Sequence, residues 1–141
     1  MWRDFLYLLI LGMLAVVGGG MLAALVDEPE SGFPASVGLS VEELKAELAS
    51  GSPPILIDVR AELAYRAGHL PGALSFPLAE LRSDRAVRSR LVGMEGRLVL
   101  YCANRYCLES REAAEILKSL GRRDIRIFSG GWQAWKESRK P

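Results

Sequence analysis

Apolar residues along this chain fall into three patterns, and each predicts a different kind of element. From Ser40 onward, short runs rich in β-branched residues alternate with stretches whose apolar positions recur every three to four residues. PILIDVR predicts a buried strand ending near Asp58, RLVLY a second, and IRIF a third. A briefer strand is expected over Ala73 to Phe76, after the turn GHLPGA. SVEELKAELASG predicts a helix opened by a Ser40–Glu43 capping box, with Val41, Leu44 and Leu48 on one face and Gly51 and Pro53-Pro54 as its stop. Ala61 to Ala67 reads as a short helix, and Leu78 to Leu91 as a longer one with its charges outward. Ser110 to Leu120 places Ala113, Ala114, Leu117 and Leu120 on one face before Gly121, and GGWQAWKES predicts a last helix.

The third pattern is unbroken. FLYLLILGMLAVVGGGMLAALV, Phe5 to Val26, carries no charged residue and is long enough to cross a bilayer as a helix. Arg3 precedes it, Asp27, Glu28 and Glu30 follow, and the next basic residue is Lys45. The positive-inside rule then predicts a single-pass inner-membrane protein with its soluble domain exported, periplasmic in a bacterium. A cleaved signal peptide is the competing reading, with Gly18 and Gly20 before a cut, but the apolar region is long for one. DEPESGFPASVG, Asp27 to Gly38, has the composition of a linker. The expected organisation is therefore a transmembrane helix or signal-anchor over 1–26, a linker over 27–38 and one folded domain over 39–141.

Apolar strands alternating with helices predict an α/β domain whose parallel sheet is covered on both faces. Ligands of such sheets bind beyond the carboxyl ends of the strands. LVLYCANRYCLESREAAEIL puts Cys102 at that address, and Cys107 in the same loop. These are the only two cysteines of the 141 residues, which excludes a disulfide scaffold. With Lys+Arg 18 against Asp+Glu 17, the net charge of +1 offers no basic patch for nucleic acid.

A loop wrapping from strand to helix can aim successive backbone N–H groups at one centre, an arrangement that lowers the pKa of a thiol. Arg105 and Arg111 add positive charge, and Glu109 opposes it. The bland alternative is a buried, inert cysteine. A C-x5-R phosphatase fails on spacing, since the sixth residue after Cys102 is Leu108 and after Cys107 is Ala113. The C-x4-C spacing is not the C-x-x-C of a thioredoxin-type pair, and two cysteines with His69 are too few for a structural zinc site.

Taken together, LIDVRAELAYRAGHLPGALSFPLAEL, LVLYC with its loop, SREAAEILKSLG and IRIFSGGWQAWKE resemble the rhodanese-like domain over about residues 36 to 139. The resemblance implies a five-stranded parallel sheet between helices and a sulfurtransferase needing no cofactor or metal. Cys102 would carry sulfane sulfur as a persulfide, received from a small donor such as thiosulfate or a persulfide and passed to a thiol acceptor. The loop residues Ala103, Asn104, Arg105, Tyr106, Cys107 and Leu108 would surround the substrate. It also implies a structural polar network for Asp58, Arg60 and Glu62 and a turn role for His69. Gly130 and Gly131 would serve a tight turn, and Trp132 and Trp135 would pack. No protein partner is implied.

The loop departs from the family pattern, in which a serine stands six residues after the cysteine. Here Ser110 stands eight residues after Cys102, Arg105 replaces the loop glycine, and Cys107 stands where an arginine is usual. A longer loop changes the pocket's width, so the family's donor preference does not carry over. Cys107 would either pack in the loop or act on Cys102, attacking its persulfide or closing a disulfide with it. Two functions stay open: a membrane-anchored sulfurtransferase acting through Cys102, or a non-catalytic binding or thiol-redox module built on the Cys102/Cys107 pair.

Overall fold

The computed structural model describes residues 38–140. The apolar run Phe5 to Val26 and nearly all of the linker lie outside them. Among the described residues no helix is long and apolar enough to cross a membrane.

Five strands form one wholly parallel sheet: β1 (Gly38–Leu39), β2 (Ile55–Asp58), β3 (Leu74–Ser75), β4 (Leu98–Tyr101) and β5 (Ile125–Phe128). Their order in space is β1-β5-β4-β2-β3. Among the described residues five helices lie between the strands, α1 (Val41–Leu48), α2 (Glu62–Ala67), α3 (Leu78–Ser83), α4 (Arg85–Gly93) and α5 (Glu109–Ser119), and a sixth, α6 (Gly131–Glu137), follows β5.

Side-chain alternation along the strands divides the core in two. Ile57, Leu98, Leu100, Ile125 and Ile127 face α3, α4 and α5, where they meet Leu81, Leu91, Ala113, Ala114 and Leu117. Leu56, Val99, Tyr101 and Phe128 face the other way, against Leu44 of α1 and Trp135 of α6. The chain thus leaves β4 for α5 on one face and leaves β5 for α6 on the opposite face. Neighbouring strands whose connections diverge in this way open a crevice at their carboxyl ends. Cys102 follows β4 at that point.

Two expectations are corrected. The helix foreseen over Leu78 to Leu91 is two helices, because Asp84 takes an extended backbone (φ −106°, ψ 115°) and its carboxylate accepts the amides of Ala86 (2.7 Å) and Val87 (3.4 Å). An aspartate whose carboxylate can cap the following turn favours a fresh helix start over continuation. Gly38, read as linker, belongs to the sheet: β1 pairs with β5 in the register Gly38↔Ile127, Leu39↔Phe128. A two-residue strand is too short to leave a period in the sequence.

Tyr101 fastens the GHLPGA turn to the sheet. It is fully buried, and its hydroxyl oxygen accepts the Leu70 amide at 3.1 Å. Burial, with the Asp58 carboxylate nearby, pushes the hydroxyl's pKa well above its ordinary value, so Tyr101 remains neutral. Tyr101→Phe would leave a buried N–H without its acceptor, which costs about 1–3 kcal/mol. A urea titration should therefore give a lower midpoint with an unchanged slope; an unchanged midpoint would mean that the Leu70 amide finds another partner.

Candidate active site

The loop from 102 to 108 is held at its base by α6. The amide of Trp132 donates to the Cys102 carbonyl and that of Gln133 to the Ala103 carbonyl, both at 2.9 Å. This approach requires glycine at position 131. Gly131 has φ +61°, and a Cβ there would lie 2.5 Å from the Cys102 carbonyl oxygen and 2.9 Å from the Asn104 amide nitrogen. The second glycine of the GGW motif therefore makes room for the loop's own backbone, beyond its part in the turn.

Asn104 shapes the tip of the loop. Its side-chain oxygen accepts the Tyr106 amide at 3.0 Å and its carbonyl accepts the Cys107 amide at 3.1 Å. The turn carries Cys107 back over Cys102, and the two are joined as a disulfide with Cα atoms 6.3 Å apart, inside the usual range for such a bond. Cys102 is only 2% exposed, while Cys107 is half-buried. Arg105, Tyr106 and Leu108 point outward, Tyr106 at 82% and Leu108 at 67% exposure.

The surroundings of the Cys102 sulfur differ from the expected amide cradle. The Ser110 hydroxyl donates to Sγ at 3.8 Å, but the carbonyl oxygens of Cys107 and Asn104 lie 3.4 and 3.7 Å away. Two of the loop's amides, Tyr106 and Cys107, are turned onto Asn104 instead. Carbonyl oxygens repel an anion, so this closed loop suits the neutral disulfide. On the outer side, Cys107 Sγ lies 3.5 Å from Glu109 Oε2.

A second cluster sits at the end of β2. Asp58 is fully buried and grips Arg60 through Nε at 3.0 and 3.1 Å and Nη2 at 2.6 Å. Nη2 also donates to the Gly68 carbonyl at 2.7 Å. Burial works against the Arg60 charge, yet the hydrogen bonds and charge of Asp58 outweigh it and hold the guanidinium above its ordinary pKa. The same guanidinium lies 5.8 Å from the Tyr101 ring centre and 5.6 Å from that of Trp132, which links this cluster to α6.

Glu62 is exposed and accepts from Ser75 Oγ at 2.6 Å and Arg66 Nε at 3.0 Å, which lower its pKa in that order. His69 Nδ1 lies 3.0 Å from the Tyr65 carbonyl, and its ring stacks on Tyr65 at 3.9 Å. Neither of these contacts involves the cysteine loop. Among the described residues no group of three or more Cys, His, Asp or Glu could hold a metal. A cleft of about 390 Å³ opens beside the loop, lined by Ala103, Asn104, Trp132, Gln133, Lys136 and others; Cys102 does not line it.

The family model of the rhodanese-like domain matches residues 40–138. The chain belongs to the rhodanese-like domain family. Human thiosulfate:glutathione sulfurtransferase is 32% identical over 109 residues, covering 70% of this chain and 92% of that protein. An HTH-type transcriptional regulator of Mycobacterium tuberculosis is 37% identical over 81 residues, covering 57% of this chain and 34% of the regulator. This chain therefore spans about a third of that relative's length. Among solved structures, the human single-domain sulfurtransferase TSTD1 superposes with a TM-score of 0.60 at 29% identity, covering 74% of this chain and 98% of that one. The rhodanese-like domain of an Anabaena protein gives 0.61 at 29% identity, covering 74% and 76%.

Sequence reasoning placed Cys102 and Cys107 in one loop but missed Asn104 as the residue that folds it and Gly131 as the residue that lets α6 hold it. An asparagine two residues before Tyr106 carried the first signal, since Asn side chains readily accept an amide two residues on. The second had no local signal, because the contact joins residues 29 positions apart. Gly131→Ala should destabilise the rhodanese-like domain by more than the roughly 1–2 kcal/mol of a positive φ alone, with faster hydrogen exchange at the Trp132 and Gln133 amides. Gly72→Ala is the control, at φ +77° with open space around it. Equal losses in the two variants would mean that the loop gives way without cost.

Proposed function

We propose that this rhodanese-like chain is a sulfurtransferase in which Cys102 carries sulfane sulfur from a small donor, thiosulfate or a persulfide, to a thiol acceptor. The seat of Cys102 carries the reading: it follows the central strand β4, at the crevice where the paths from β4 and β5 diverge, with Ser110 Oγ at its sulfur. The curated human relative and the human solved structure both carry the sulfurtransferase name, and this chain covers 92% and 98% of their lengths.

The reduced Cys102 thiolate would attack the outer sulfur of thiosulfate, forming Cys102–S–S⁻ as sulfite leaves with the electron pair of the broken S–S bond. An acceptor thiolate would then take the outer sulfur and restore the Cys102 thiolate. The disulfide has to be reduced first, since a disulfide sulfur is not a nucleophile. Anchoring through residues 5–26, with the domain exported, is part of the same proposal and rests on the charge pattern around that run.

A second reading, a thiol-redox or binding module, is favoured by one observation, the Cys102–Cys107 disulfide itself. Turnover by the full chain, reduced and given thiosulfate or glutathione persulfide with excess thiol, separates the two. The sulfurtransferase reading expects release of sulfite or glutathione at a steady rate that Cys102→Ala lowers at least about a hundredfold. Wild-type rates in Cys102→Ala would refute the assignment. A folded, reduced chain that turns over neither donor would leave the redox module as the better reading.

A further inference from the structure

We propose that Cys107 is a resolving thiol: it discharges the Cys102 persulfide within the chain, releasing the carried sulfur as hydrogen sulfide and leaving the Cys102–Cys107 disulfide. The inference rests on Cys102 as the sulfur carrier and adds an internal acceptor and a second product.

With the thiol proton of Cys107 passed to the outer sulfur of the persulfide, the step balances as Cys102–S–SH plus Cys107–S⁻ giving Cys102–S–S–Cys107 plus HS⁻. Cys107 sulfur attacks the inner sulfur, Cys102 Sγ, and the bond to the outer sulfur breaks. The outer sulfur leaves with that electron pair and ends with the proton that Cys107 loses. It is reduced from sulfane to sulfide, while the two cysteine sulfurs supply the two electrons. A thiol reductant, either two small thiols or one dithiol, then reopens the disulfide for the next donor.

Three features of the loop carry this. The bond that the attack would form is already present, with the backbone positions in range for it. The carboxylate of Glu109, 3.5 Å from Cys107 Sγ, is placed to receive the thiol proton. The carbonyl oxygens of Cys107 and Asn104 close on Cys102 Sγ at 3.4 and 3.7 Å. Loop closure therefore disfavours an anionic persulfide and favours a neutral disulfide, driving the charge out as hydrosulfide. Hydrosulfide is also a better leaving group than an alkyl thiolate, because the more acidic thiol leaves faster.

Exposure sets the direction of the return step. Cys102 is 2% exposed and Cys107 half-buried, between the outward-pointing Tyr106 and Leu108. An incoming thiolate reaches Cys107 first and forms a mixed disulfide there. Cys102 then leaves as the thiolate, with the Ser110 hydroxyl at 3.8 Å to stabilise it. That is the state a new donor requires.

The test is a single turnover on the full chain, reduced, freed of reductant and kept free of oxygen, with thiosulfate and glutathione persulfide as separate donors. Wild type, Cys107→Ser and Cys107→Ala are compared by intact mass and by released sulfide. Wild type should release one sulfide per chain and end two hydrogens lighter than the reduced protein, with no sulfur retained. Both Cys107 variants should keep one added sulfur on Cys102 and release at least about tenfold less sulfide. Retention of the added sulfur by wild type, with sulfide release no greater than in the variants, would overturn the resolving role while leaving the carrier intact. Failure of wild type and of both folded variants to react with either donor would overturn the carrier reading, and this inference with it.

Discussion

A carboxylate with no solvent exposure must have its charge matched, and at the end of β2 that requirement organises the neighbourhood of the site. Asp58 takes the guanidinium of Arg60 in a fork, and the spare reach of that guanidinium goes to the Gly68 carbonyl and to the faces of Tyr101 and Trp132. One buried ion pair thereby joins β2, the turn after α2, the last residue of β4 and the first turn of α6. Removing either partner would strand a buried charge, at a cost of about 3–5 kcal/mol. Such pairs are expensive to bury and add little net stability. Their effect here is to fix position, because the same elements set where Cys102 emerges.

The cysteine loop is restrained from two sides. At its base, the first amides of α6 hold the carbonyls of Cys102 and Ala103, a contact open only to glycine at 131. At its tip, Asn104 folds the chain back and Cys107 bonds to Cys102. Opening the disulfide releases the tip and leaves the base in place. Carbonyl oxygens would then be free to turn from Cys102 Sγ and amides to turn toward it, an inversion of local polarity produced by rotating peptide units within a loop of fixed ends.

Much of this was legible in the sequence, for reasons that can be named. The Ser40 capping box, the β-branched runs of β2, β4 and β5 and the apolar stripe of α5 are local signals, and each produced the element it predicted. The parallel sheet followed from their alternation. Local reasoning failed where the deciding contact lay elsewhere. Asp84 breaks a continuous apolar stripe because its carboxylate prefers to cap the next turn, and β1 exists only because β5 offers it an edge. Of the site, the position of Cys102 was readable, whereas the carbonyl-lined pocket around its sulfur depends on how the two added loop residues fold.

The shortness of β3 has a consequence for how copies of the chain can meet. It is an outer strand of the sheet and is two residues long. A neighbouring chain approaching the β3 margin meets too few free N–H and C=O groups to continue the ladder, so growth of one sheet across several molecules finds no template there. Copies meeting at that margin therefore do not polymerise through their strands.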